Sequence, residues 1–473
     1  MKNYLIPIFC LLGSYFWAQK VINLNEESSR YSVQSTRQNI PAEFLKNSKS
    51  SRAFAINKTL QTKQGVKEND VIALQLFEGK TYNALISNVS TDVNGVLVIT
   101  AKIIDYPMGY AIITTDTVSN KTSLTLGIPE LKEYYTTAGN INSSTNYLIE
   151  LDRNNLNEIS GGKNDEVVIP VSETKQKEQS GIPGLKTQAV SKGVNDHANI
   201  DVMIVYTPEA ETWANNYKNG INNYLSTLLA YSNNVLNNSV TYASMTLVHS
   251  RKVSYASVGG DLGTDLTRLR TAGDGYLDEV HTLRDQYAAD LVTLIERRDQ
   301  LELAGNGTCG LAYRLTSSNP TGNDTLGFSV IKTTDDASGG YLCAQETYIH
   351  ELGHNIGMAH DLEHSSNTSG NIIYPYAYGW RWTGNDGKKY RSVMSYDNGG
   401  ETRAPYYSNP NVTHQGKATG NISTANNALV FRNIKHYVAA YRENATSPVA
   451  PSGLSVSAIT GSGATLKWNA VSG

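Results

Sequence analysis

From residue 19 to about 160 the chain runs through short apolar stretches, VIALQLF, YNALISNV, GVLVITAKII, YAIITT, TSLTLGI and NYLIEL. Glycine, asparagine and aspartate punctuate them. Apolar and polar positions alternate with period two, which predicts a β-rich unit. The pattern then fades. Residues 161–198 are polar, with Gly, Ser and Lys throughout, and read as a linker or maturation region open to proteases. At Ile200 it changes again. DVMIVYT predicts a strand, and Pro208 with Glu209 and Glu211 opens a helix whose apolar spacing runs to about Leu236. A strand at MTLVHSRKV, a helix from about Asp265 to Asp285, the strand DLVTLI, a loop bearing Cys309 and the strand LGFSVIKT follow. This alternation predicts an α/β (α+β) domain over 199–443, a mixed twisted sheet with long helices. After Tyr441 a polar stretch leads to LSVSAIT and ATLKW, two strands around a Gly/Ser turn.

Composition changes the picture little, but the amino terminus changes it more. The 473 residues carry a net charge of -3, so nothing favours nucleic acid, and the 29 tyrosines against 7 phenylalanines suit clefts as well as cores. Lys2 precedes an apolar run from Tyr4 to Trp17, the form of a signal peptide over 1–18. The expectation is an exported, monomeric protein with no membrane span in its mature form. Cys10 would leave with the signal. Cys309 and Cys343 then remain; in an exported chain they most simply pair, the alternative being two separately buried thiols.

The chemistry is concentrated at 350–360, HELGHNIGMAH. His350 and His354, four apart, lie on one face of a helix and can share one Zn²⁺. Glu351 is rotated away from that face, where it can act as general base toward a metal-activated water. Gly357 stands where the helix must stop and the chain turn, returning His360 as third ligand. Three neutral imidazoles leave a fourth position open, the requirement of a catalytic zinc. Such histidines could instead be a surface cluster on a polar helix, but three at these spacings with Glu351 and Gly357 argue against it.

Some thirty residues on stands SVMSY, with Met394 where a methionine turn would floor the zinc. Together these motifs resemble the metzincin metallopeptidases. The resemblance implies ligands His350, His354 and His360, base Glu351, a Met-turn at Met394 and hydrolysis of protein or peptide substrates. Asp361 and the segments IDVMIVYTPEA and RAPYYSNPNV are similar to bacterial reprolysin (adamalysin)-like peptidases, in which such an aspartate anchors the turn. SVMSY is closer to serralysins and astacins, whose tyrosine, here Tyr396, can reach the metal or steady the tetrahedral intermediate. By the same analogy Pro405–Pro410 would wall the pocket for the residue after the cleaved bond, and LGFSVIKT or CGLAYRL would offer an edge to extended substrate. Nothing indicates a structural Ca²⁺. Residues 19–160 would be an inhibitory propeptide, yet no upstream cysteine is left to block the zinc; Asp196 or His197 would be the residues to do so. His364 reads as a solvated histidine. Residues 449–473 resemble the opening of a fibronectin type III domain with Trp468 as its core tryptophan, a β-sandwich expected to continue further.

Overall fold

The computed structural model describes residues 19–26, 48–152, 157–158, 165–168, 192–258, 261–297, 308–320, 322–333, 341–343, 345–365, 372–442, 455–460 and 463–467. The signal-peptide reading and Trp468 lie outside the described residues. Among the described residues no helix is long and apolar enough to cross a membrane.

The period-two region forms one nine-stranded sheet. Its strands are β1 (Val21–Asn23), β2 (Ser48–Ala53), β3 (Val71–Phe77), β4 (Lys80–Thr91), β5 (Val96–Ile103), β6 (Tyr110–Asp116), β7 (Lys121–Ile128), β8 (Glu133–Gly139) and β9 (Asn146–Leu151). They run in the order β1-β3-β4-β5-β6-β7-β8-β9-β2. The sheet curls: Arg52 on β2 donates to the carbonyls of Leu76 and Gln75 on β3. Alternation decides what each face does. Leu97, Ile99, Ala101 and Ile103 of β5 point into the curl, whereas Val96 and Val98 join the core of the following domain. Packing on both sides explains why β5 and β6 are buried almost throughout.

The second domain carries a six-stranded sheet. Two two-residue strands outside its core, β10 (Asn157–Glu158) and β17 (Tyr341–Leu342), pair with each other. The six are β11 (Glu166–Val167), β12 (Ala198–Tyr206), β13 (Ala243–Lys252), β14 (Leu291–Arg297), β15 (Gly310–Tyr313) and β16 (Phe328–Thr333), ordered β11-β15-β16-β14-β12-β13. The central strands are parallel, and β15 turns antiparallel to β16. Seven helices accompany the sheet among the described residues: α1 (Pro208–Tyr217), α2 (Ile221–Asn238), α3 (Leu262–Arg270), α4 (Asp278–Gln286), α5 (Glu346–Asn355), α6 (Leu362–Ser365) and α7 (Asn427–Val438).

Three expectations are corrected. The helix read from Pro208 to Leu236 is two, because Asn219 and Gly220 take positive φ (58° and 112°). The Asn219 amide is drawn out to the Thr122 carbonyl and Ser123 hydroxyl of the N-terminal sheet. The helix read from Asp265 to Asp285 is also two, broken where Gly273 and Gly275 hand their amides to the Asp278 carboxylate. Lastly, the stretch read as a linker contains β11, which pairs in parallel with β15. Near the carboxyl terminus Ser455–Thr460 and Gly463–Lys467 form an antiparallel hairpin, the strands expected there.

Candidate metal centre

Helix α5 runs along the sheet, held by Asn355, whose amide donates to the carbonyls of Tyr313, Leu326 and Phe328. It presents His350, Glu351 and His354, all buried. His350 Nδ1 faces the Val393 carbonyl and His354 Nδ1 the Met358 carbonyl, each at 2.9 Å. A carbonyl only accepts, so Nδ1 carries the proton and Nε2 offers its lone pair inward. Gly357 takes φ of +99° against Ile373 and the Leu315 carbonyl. The chain reverses there and delivers His360.

The three Nε2 atoms converge. His350 Nε2 lies 3.3 Å from His360 Nε2 and 3.2 Å from His354 Nε2. Donors about 2.0–2.1 Å from a tetrahedral zinc stand about 3.3 Å apart, so the spacing fits that ion. The fourth corner belongs to Asp165, the residue before β11. Its carboxylate is 2.6 Å from His360 Nε2, 3.3 Å from His350 Nε2 and 3.7 Å from His354 Nε2. These four residues form one buried group whose ligand atoms all lie within 4.8 Å of each other.

Charge agrees with spacing. Asp165, Glu166 and Glu351 place three buried carboxyl groups around the histidines. Burial first, then the Asp165 and Glu166 carboxylates, push Glu351 well above the ordinary carboxyl range, against the pull of Arg403. Burial would also raise Asp165, but the His360 and His350 imidazoles outweigh it and hold it well below its usual range. His354 and His360 are pushed down, chiefly by burial, toward the neutral form a metal requires. Buried carboxyl groups beside imidazoles held toward the neutral form suit a divalent-cation site.

The surroundings fix each group. A Cβ on Gly310 of β15 would come within 2.3 Å of Glu351 Oε1, so only glycine leaves room for that carboxylate. Neither Glu351 oxygen has a hydrogen-bond partner among the described residues. Met394 lies under the helix, its Sδ 2.6 Å from where a Gly353 Cβ would stand. Asp361 takes a bidentate contact from Arg381 at 2.9 and 3.0 Å and the Tyr396 amide at 3.2 Å, so it does tie the turns together. His364 is not simply solvated: its Nδ1 is 2.8 Å from Asp361. The Tyr396 hydroxyl donates to Asp165 Oδ1 at 2.5 Å, over the His360 ring. Within Pro405–Pro410, Tyr407 donates to the Ile349 carbonyl and braces the helix from behind. Cys309 and Cys343 form a disulfide, tying the start of β15 to the approach to α5.

Residues 222–361 match metallo-peptidase family M12B, reprolysin-like. Over that segment the chain is similar to reprolysin-like metallopeptidases. Three relatives are each named peptidyl-Asp metalloendopeptidase. That of Stenotrophomonas maltophilia (strain R551-3) is 31% identical over 62% of this chain and 59% of its own length. That of Xanthomonas campestris pv. campestris is 32% identical over 52% of each. That of Pseudomonas aeruginosa is 28% identical over 46% of this chain and 35% of its own. The chain thus spans about half the length of the relatives it matches.

Of the residues singled out in the sequence, the structure brings His350, His354, His360 and Glu351 together, with Gly357, Asp361 and Met394 around them. The upstream residue beside the histidines is Asp165 rather than Asp196 or His197. Asp196 and His197 are exposed, and Asp196 merely accepts from the Gly193 amide. Asp165, Glu166, Arg314, Gly310 and Arg381 were missed. The one local signal for the first two is an acidic pair followed by two valines, DEVV, inside a polar stretch.

Proposed function

We propose that this chain is a secreted zinc-dependent endopeptidase, made as a latent precursor and acting on proteins beside aspartate, as the relatives' names suggest. The observation that carries the reading is the convergence of His350, His354 and His360 Nε2 atoms with Glu351 alongside. Bound there, zinc would supply Lewis-acid polarisation of the scissile carbonyl and lower the pKa of a water toward about 7. Glu351 takes the proton of the attacking water on its carboxylate and passes it to the leaving amine. The water-poor setting around Glu351 raises its affinity for that proton. Tyr396, whose hydroxyl already points at the fourth corner, donates a hydrogen bond to the oxygen that becomes negative there.

Latency follows from Asp165. Its carboxylate stands where water must enter, and β11 covers the edge of β15 that extended substrate would need. Residues 19–160 act as the propeptide whose end carries this plug. Export, the signal peptide and the fibronectin-like module belong to the same proposal.

Glu351→Ala tests the reading. The variant should bind one zinc per chain, by metal analysis, and hydrolyse no peptide after processing in trans. Substantial turnover by the zinc-loaded variant would remove Glu351 from the role of base.

A further inference from the structure

Beside Asp165, Glu166 turns its side chain to the opposite flank of the metal centre. Its Oε2 lies 3.3 Å from His354 Nδ1 and 3.2 Å from Arg314 Nε. Arg314 directly follows β15, and its amide donates to the Val167 carbonyl at 2.9 Å. Both side chains are 1% exposed. A buried guanidinium carries five donors and cannot shed its proton, so it demands a carboxylate. Here the carboxylate comes from the prosegment. The pairing is also imperfect: Nε, Nη1 and Nη2 all lack a hydrogen bond of good geometry among the described residues. Burial lowers Arg314, opposed only in part by the charge of Glu166 and then of Tyr378.

Removal of the prosegment therefore leaves a buried cation, one side chain away from the metal ligands, at the end of the strand along which substrate would lie. We propose that Arg314 is the specificity-determining residue of this site, receiving an acidic side chain next to the scissile bond, and that Glu166 occupies its pocket in the precursor. Glu166 imitates the substrate side chain as Asp165 imitates the reacting oxygen. The open Nη1 and Nη2 fit the two-pronged approach of a carboxylate, which an amide of equal shape cannot match in charge. A site built to satisfy such a buried group rejects substrates that leave it unpaired far more strongly than an apolar pocket rejects a missing methylene.

This inference rests on the endopeptidase reading, and the test separates the two. The zinc-loaded full chain, after its own processing, is given paired peptides differing only by Asp or Asn, and a mixed peptide library whose cut sites are sequenced. We expect kcat/KM for the Asp peptide to exceed that for the Asn peptide by on the order of 10²-fold or more, with cuts gathered beside acidic residues. Arg314→Met should bring the ratio near one while leaving zinc content unchanged. Wild-type cleavage with no acidic preference would overturn the role of Arg314 while leaving the peptidase intact. So would a folded Arg314→Met variant that keeps the preference. No cleavage of any peptide would instead sink the underlying reading. Should Arg314→Met not fold, Glu166→Gln in the precursor still decides. It should speed hydrogen exchange at the Arg314 and Ala312 amides that face the prosegment, and unchanged exchange would count against the pocket.

Discussion

Asp165→Asn replaces the carboxylate of the proposed plug with a neutral amide of the same shape. Asp165 is fully buried, meets all three imidazoles within 3.7 Å, and accepts from Tyr396. Removing one charged partner from such a buried set costs about 3 kcal/mol. What remains to hold residues 165–167 at the metal centre is chiefly the Glu166–Arg314 pair and the backbone bonds of 3.2 and 2.9 Å from Ala312 and Arg314. At 1.4 kcal/mol per tenfold, the open fraction should rise by about 150-fold, up to the ceiling set by full release. The assay is the initial rate on a quenched peptide by zinc-loaded, uncut full chain, with N-terminal sequencing to verify that it is uncut. A second readout is the rate of zinc loss to a chelator, which should increase because a ligand atom has been weakened. A variant as latent as the wild type, losing zinc no faster, would refute the plug and the reasoning from the four-residue cluster.

Three other substitutions probe different parts of the argument. Gly310→Ala places a methyl 2.3 Å from Glu351 Oε1; zinc should stay bound while kcat falls at least tenfold, and an unchanged kcat would show that the base does not need that position. Replacing Cys309 and Cys343 by serine opens a cross-link between residues 34 apart, which in the chain-entropy picture costs about 4 kcal/mol; a urea-unfolding loss under about 1 kcal/mol would contradict that account. Asp361 is shifted against burial, which alone would raise it, by His364 and Arg381, so its pKa sits below the ordinary 3.8 when folded. A depressed carboxyl stabilises the fold above its unfolded pKa, and that contribution disappears as pH falls through the lower folded value. The Tm gap between wild type and Asp361→Asn should therefore be widest near neutral pH and shrink below about pH 4; a gap independent of pH would mean that packing, not charge, is what Asp361 supplies.

The chemical core of this protein was legible because its determinants are local. His350, Glu351 and His354 are fixed relative to each other by the pitch of one helix, and Gly357 dictates its own turn. Strand periodicity likewise announced the β-rich first unit and the order of the second. Two kinds of fact were not local. Where helices break depends on partners far along the chain: Asn219 leaves helical geometry for hydrogen bonds to Thr122 and Ser123, nearly a hundred residues away. Occupancy of the fourth corner is longer-range still. Asp165 lies 185 residues before His350 by number, in a polar stretch whose composition says linker, and only the short run DEVV sets it apart from its neighbours. Only β11 lying along β15 carries its carboxylate to the three histidines and Glu166 to Arg314. The metal-binding chemistry is legible in the sequence alone, because a helix turns spacing into proximity. The tertiary structure decided what stands in front of it, because a strand acquires its neighbour only when the sheet is assembled.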